Sequence, residues 1–443
     1  MGEILKHMNE YTTDLPEGFK MTELGQLPEE WEVVKLGDIL SEVDVRVKDT
    51  NLINIPVLSI TRHHGLILQK DKFKKRVSSR DIRRYKVVKK GQIVYGFPME
   101  EGVIFALERF NVGAVSPVYE VWEPNTKLTD VKFLDYLLKT PAMIAVYESL
   151  TSKTVQRRRI VSREDFKLIR VGLPPLSEQR AISRVLRTVQ RSKEATERVV
   201  QATRNLKKSL MRHLFTYGPV PVEEVEKIPL KETEIGLVPE HWDMSRIGEV
   251  AFVKGGKRLP KGHNFSEHPT RYPYIRVVDF KNGSVDKANL KFLTPQDYEA
   301  IKRYTISSRD VYISIAGTIG LVGIVPLELD GANLTENAAK IVFKDQNQID
   351  QRFVVYFLSS KSGQEQISMR TTKTSQPKLA LARIKQIPIP LPPLSEQIEI
   401  ACILDKVDKK IQTEEARKQA LDALFKTLLH HLMTGKIRVK VTK

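Results

Sequence analysis

Cationic side chains in runs, interleaved with aromatic and uncharged polar residues, are the groups that follow a phosphate backbone and read base edges. This chain concentrates them in a few places. Gln69 to Gly91 reads QKDKFKKRVSSRDIRRYKVVKKG, setting Lys70, Lys72, Lys74 and Lys75 around Phe73, and Lys153 is followed by Arg157, Arg158 and Arg159. Both runs suit phosphate contact; a solvated strand or helix face is the plainer alternative for each. Arg62, His63 and His64 precede Gly65 at an expected strand-to-loop exit, where an arginine can pair with a guanine edge. The two histidines stand equally as surface groups or members of a local hydrogen-bond network, and no third ligand in the sequence favours a metal. Further along, Lys254, Lys257, Arg258 and Lys261 crowd a loop containing Gly255-Gly256. A glycine pair allows close approach to phosphate, and it is also an ordinary loop signal. Thr318 lies in the tight loop GTIG at 317–320, Asn333, Thr335 and Asn337 are uncharged groups suited to base edges, and Lys373 and Gln376 take the place of the earlier basic run.

The overall balance agrees. Lys and Arg number 72 against 54 Asp and Glu, a formal net charge of +18, which points to a polyanionic partner, nucleic acid first. A merely basic, soluble protein is the alternative. An apolar share of 41% and a charged share of 28% suggest neither disorder nor a membrane span. The opening residues lack the apolar stretch of a signal peptide, so a cytoplasmic location is expected. Cys402 is the single cysteine, which excludes an internal disulfide and any cysteine-built metal cluster. No GxxxxGK[ST], HExxH or [DN]PP[YF] occurs, so no catalytic residues and no cofactor of its own are expected.

The elements that must position these residues come in duplicate. LPPLSEQ stands at 173–179 and again at 391–397, each time before about 40 residues without internal Gly or Pro. Ile182, Val185, Leu186, Val189, Leu206, Leu210 and Leu214 keep helical spacing in the first copy, and Ile400, Ile403, Leu404, Val407, Leu424, Leu428 and Leu432 in the second. Such a helix is about 60 Å long and needs a partner; the simplest is the other copy, in a two-helix coiled coil. Pro174-Pro175 and Pro392-Pro393 lock an extended entry, Ser177 and Ser395 are the expected N-caps, Glu178 and Glu396 favour the helix N-terminus, and Gly218 and Gly435 follow as stops. These hinge residues are read as structural, with the seating of a partner on Glu178 and Gln179 as the alternative. QLPEEW at 26–31 matches LVPEHW at 237–242, so the chain is a tandem duplication.

Between the repeated signatures lie bodies of short β-rich runs: 93–97, 103–107 and 119–123 in the first, 311–315, 321–325 and 339–343 in the second. Helices are expected over 131–140 and 349–360. The fold class is α+β: an N-terminal segment 1–20, a first body 21–172, a spacer helix 173–218, a second body 219–390, and a C-terminal helix and tail 391–443. GFPMEEG at 96–102 stands where the second body has GTIG, so the two bodies are expected to prefer different targets.

With the paired LPPLSEQ-helix units, the LPExW openings and the phrases PVLSITRHHGL (56–66) and SIAGTIGLVGIV (314–325), the chain resembles the specificity subunit of type I restriction–modification systems. The resemblance implies two target recognition domains, each reading half of a split, asymmetric double-stranded DNA site, and two antiparallel helices fixing the gap. It implies docking of two modification (methyltransferase) subunits, which carry S-adenosylmethionine, and of restriction subunits in the full complex. The specificity chain of a type II-like system and a non-specific basic coiled-coil scaffold are the rival readings.

Overall fold

Antiparallel pairing of Glu32–Lys35 with Arg170–Leu173 puts Glu32 opposite Leu173, and pairing of Asp243–Arg246 with Pro388–Leu391 puts Asp243 opposite Leu391. The residue before each first strand is the signature tryptophan, and the residues after each second strand are the paired prolines. Register alone therefore carries Trp31 and Trp242 to the starts of the long helices, Leu176–Tyr217 and Leu394–Met433. A computed structural model describes residues 15–61, 65–73, 81–96, 103–151, 161–345, 347–372 and 374–440. Among them no helix is long and apolar enough to cross a membrane.

The helices begin two residues earlier than capping by the serines would place them. Prolines lack an N–H but keep the carbonyl, and Pro175 O accepts from Glu178 N at 2.9 Å and Gln179 N at 3.0 Å, as Pro393 O does from Glu396 N and Gln397 N. Ser177 and Ser395 lie inside the first turn, so the N-cap expectation is corrected: the second proline of each pair caps through its backbone. Gly218 and Gly435 do end the helices, at φ +82° and +68°.

Two compact units divide the chain: residues up to Thr196 together with Arg417 onward, and Glu197–Ala416. Each takes in one body and half of each long helix. In the first, Ile182, Leu186 and Leu432 join the body's core beside Phe425 and Leu428, and Lys193 Nζ lies 2.8 Å from Asp422. In the second, Leu214, Phe215, Ile400 and Leu404 do the same, with Lys207 on Asp408 at 2.6 Å and Arg204 paired with Glu415. Rising numbers on one helix meet falling numbers on the other, which is antiparallel pairing. Leu206 and Leu424 do not belong to the seam: they are 52% and 46% exposed, whereas Thr196, Val200 and Glu414 are buried. Apolar spacing alone does not distinguish the two faces where ion pairs line the contact.

Both bodies are built on the same four-stranded antiparallel sheet. Its order is Leu40–Val43, Glu120–Pro124, Ile93–Tyr95, Ile104–Ala106 in the first, and Ala251–Gly255, Ala338–Phe343, Val311–Ser314, Val322–Ile324 in the second. Helices Val131–Leu137 and Gln351–Ser359 pack beside the sheets, each N-capped by an aspartate, Asp130 or Asp350. The second body adds a small mixed sheet in which Pro273–Ile275 runs parallel to Ala332–Leu334.

LPPLSEQ ties these parts together. Glu178, 3% exposed, accepts from Trp31 Nε1 at 3.2 Å and from Arg438 Nε at 2.6 Å; Arg438 also meets Glu30. That hydrogen bond holds the Arg438 guanidinium above its ordinary pKa. Gln179, wholly buried, accepts from Asp130 N at 2.9 Å and donates to Leu128 O and Pro174 O. In the second unit Glu396 accepts from Trp242 Nε1 at 2.9 Å and pairs with His241, while Gln397 accepts from Asp350 N at 3.0 Å. Glu178 and Gln179 thus make their side-chain hydrogen bonds inside their own unit, as the structural reading expects.

Truncating Glu178 to Ala orphans a buried indole N–H and an arginine, and should cost about 2–3 kcal/mol in urea unfolding. Gly435→Ala should be more harmful than Gly218→Ala. A Cβ at 435 would stand 2.4 Å from the Pro28 ring, whereas the nearest atom at 218 is 3.5 Å away, so only the latter is limited to backbone strain, about 1 kcal/mol. Equal losses of stability at the two glycines would contradict this packing.

Candidate nucleic-acid interface

In the second body, backbone hydrogen bonds gather four loop segments at one end of the four-stranded sheet. Gly256 N donates to Ala338 O at 3.0 Å and Lys257 N to Leu334 O at 2.8 Å, which sews 254–263 to 334–338. Ile315 N donates to Asn337 O at 2.8 Å, adding the segment 316–320, and Ala316 bridges to Lys378, adding 374–378. Lys254, Lys257, Arg258, Lys261, Thr318, Asn337 and Gln376 are all exposed on these segments. Residues scattered over more than a hundred positions thus share one edge.

The local geometry explains several residue choices. Gly256 is required by packing: a Cβ there would lie 2.1 Å from Thr335 O and 2.3 Å from Leu334 O. Gly256 is thus fixed by protein backbone, a requirement that neither reading offered by the sequence anticipated. Tyr274 Oη donates to Lys257 O at 2.8 Å, and burial pushes its hydroxyl up to about 12, so it stays a donor at neutral pH. Gly317 and Gly320 adopt φ +71° and +85°, and Gly320 N and Leu321 N turn back onto Ser314, presenting Thr318 at the tip. Lys254 Nζ lies 5.8 Å from the Phe252 ring centre, and His263 Nδ1 is 2.5 Å from the buried carboxylate of Asp297.

Two expected base readers are placed elsewhere. Asn333 is wholly buried on Ala332–Leu334 and donates to Ile301 O at 2.9 Å; Thr335, 5% exposed, turns its hydroxyl to Glu336 at 3.1 Å. The strand Ala332–Leu334 is buried along its whole length, Asn333 with it, while Asn337, beyond the strand, is exposed. In the first body Lys70 is exposed, and Lys72 gives one of its donors to Ile60 O at 2.8 Å. Arg62, His63, His64, Lys74, Lys75, Lys153, Arg157, Arg158, Arg159 and, in the second body, Lys373 lie outside the described residues. The hairpin flanking 62–64 is closed by Thr61 opposite Gly65, at φ +63°.

Sequence reasoning passed over Tyr274, Lys378 and Glu336. The signal for Glu336 was present: it is the one acidic residue in 254–263, 316–320, 334–338 and 372–378, segments holding six lysines and arginines. It becomes visible only when those segments are known to meet.

Comparison with known proteins agrees with this architecture. The chain is 28% identical over 438 residues to the Type I restriction enzyme MjaVIII specificity subunit of Methanocaldococcus jannaschii, covering 96% of this chain and 97% of that one. It is 26% identical over 447 residues to the putative MjaX specificity subunit of the same organism, with the same coverage. The fold is similar to the crystal structure of a type I restriction–modification S subunit from M. genitalium, with a TM-score of 0.58 and 16% identity over 91% of this chain and 96% of that one. The model of the type I restriction modification DNA specificity domain matches twice, at residues 28–202 and 239–423, and the chain therefore belongs to that family.

Proposed function

We propose that this chain is the DNA-reading subunit of a type I restriction–modification complex, recognising a split, asymmetric site with one body on each half. The observation that carries the reading is the repetition of one scaffold with unlike loops: the same sheet and clamp occur twice, while GTIG in one body stands where GFPMEEG stands in the other. Each small body reaches only three or four base pairs, and a well-read pair contributes about 1–3 kcal/mol of discrimination, so joining two readers multiplies selectivity. The paired helices act as the ruler that sets the unread gap. Lys254, Lys257 and Lys261 neutralise phosphates, and Thr318, Asn337 and Gln376 face base edges.

The chain itself is non-catalytic in this reading. Two modification subunits dock on it and hold S-adenosylmethionine, restriction subunits complete the assembly, and the complex acts in the cytoplasm. The indole–carboxylate clamp supports this division of labour: it fixes each reader to the helices through buried polar contacts, a construction suited to positioning.

Single-molecule methylome sequencing of a host expressing this chain with its modification subunit tests the reading. A methylated motif with an unread gap, lost on deleting this gene, is expected. A partner shown to be active that leaves no split motif would favour the non-specific scaffold. The ruler makes a second prediction. Matched four-residue helical insertions after Ala195 and, opposite it, after Ala420 keep the pairing of Lys193 with Asp422 in phase with the rest of the seam. They should widen the unread gap by about one or two base pairs, since four helical residues add about 6 Å and a pair occupies about 3.4 Å. Both half-sites should stay the same; an unchanged gap in an active complex would rule the ruler out.

A further inference from the structure

The loop edge of the second body is strongly cationic, yet it carries one acid. Among the described residues of its four segments, Glu336 stands alone against Lys254, Lys257, Arg258, Lys261 and Lys378. A carboxylate facing DNA phosphates is repelled, and an exposed ion pair adds little to stability, so neither non-specific affinity nor folding accounts for it. Its contacts are specific. Glu336 Oε1 lies 3.4 Å from Arg258 Nε, and Oε2 accepts from Thr335 Oγ1 at 3.1 Å. Thr335 is buried and its N–H is bound to Ile275 O, so the carboxylate is anchored from behind. Arg258 is anchored as well: the preceding carbonyl, that of Lys257, accepts from Tyr274, and the Lys257 N–H is bound to Leu334 O. The Arg258 side chain is nonetheless 75% exposed.

We propose that Glu336 determines specificity by holding the Arg258 guanidinium along its Nε edge, so that the two terminal nitrogens face outward and read O6 and N7 of one guanine in the half-site of the second body. This rests on the DNA-reading function proposed above. An arginine fork recognises guanine by two parallel hydrogen bonds, and the recognition depends on the plane of the fork being fixed. A free arginine among lysines would swing to the nearest phosphate. The anchored carboxylate favours the reading orientation and, by its charge, disfavours a backbone contact. Glu336 is therefore a positioning residue and Arg258 the reader.

The test uses the complete complex with its modification subunits and a DNA library randomised in both half-sites. The unaltered complex should require guanine at one position of the half-site read by the second body. Arg258→Ala and Arg258→Lys should each lower that preference by about tenfold, lysine failing because it lacks the fork. Glu336→Gln should broaden the same position while binding to unrelated DNA grows stronger. The other half-site, read by the first body in the same reaction, should keep its preference, which shows that the variants are folded and assembled. Arg258→Ala weakening all sequences alike, with the slope of log affinity against log salt reduced by about one, would identify a phosphate contact and overturn the proposal. So would Glu336→Gln leaving the base profile unchanged. No base preference in either half with the unaltered complex would instead remove the DNA-reading function itself.

Discussion

A carboxylate at the start of a long helix, facing a buried indole N–H, is the contact on which the rest of this molecule is arranged. Glu178 meets Trp31 and Glu396 meets Trp242, and in both units the tryptophan also abuts the glycine that ends the other helix, Gly435 or Gly218. A reader, a helix start and a helix end are thereby joined at one point. Glu178 is buried, so its charge must be compensated, whereas Glu396 is only part-buried, and the two units surround the carboxylate differently. Arg438, from the tail, serves Glu178 and is shared with Glu30, whereas His241, the residue matching Glu30 in the second signature, serves Glu396 directly. The indole contact is common to both units, and the other partners of the carboxylate are the variable part.

Around that junction the conserved geometry is internal. Gln179 and Gln397 each bind the backbone N–H of the aspartate that caps the body's helix, so the LPPLSEQ turn reaches the junction through Glu and the body through Gln. The strand pair, the four-stranded sheet and the capped helix recur, and the sequences between the central strands differ. A scaffold whose polar groups are satisfied internally leaves its loops free to change composition without loss of the fold.

The duplication, both long helices, their glycine stops and the main strands were legible because periodicity, repeats and turn residues are local signals. The partnership of the helices followed from their shared stripe, and its antiparallel sense came from the resemblance alone. What was not legible depended on long-range contact. Ser177 looked like a cap because serine usually is one, but the carbonyl of Pro175 already filled that role. Gly256 looked like a phosphate-approach glycine, and its neighbour proved to be the backbone of Thr335. Asn333 had the chemistry of a base reader and the strand position of a core residue. Composition identified the cationic loops, and only the backbone contacts showed that two of them converge with the segments 316–320 and 334–338.

That convergence separates two tasks that net charge alone conflates. A surplus of cations draws any duplex, because counterion release is indifferent to sequence, and it rewards a non-target site as much as a target. Discrimination requires groups whose value depends on the base in front of them, in fixed orientations. In the reading proposed here, the lysines Lys254, Lys257 and Lys261 on the second body's edge meet the first requirement, and the second falls to the uncharged Thr318 and Asn337 and to the Arg258–Glu336 pair. On that proposal the hydrogen bonds from Tyr274 to Lys257 and from Thr335 to Glu336 matter because they tie the backbone and side chain beside the Arg258–Glu336 pair, where orientation would carry information, whereas a lysine's point charge needs no fixed plane.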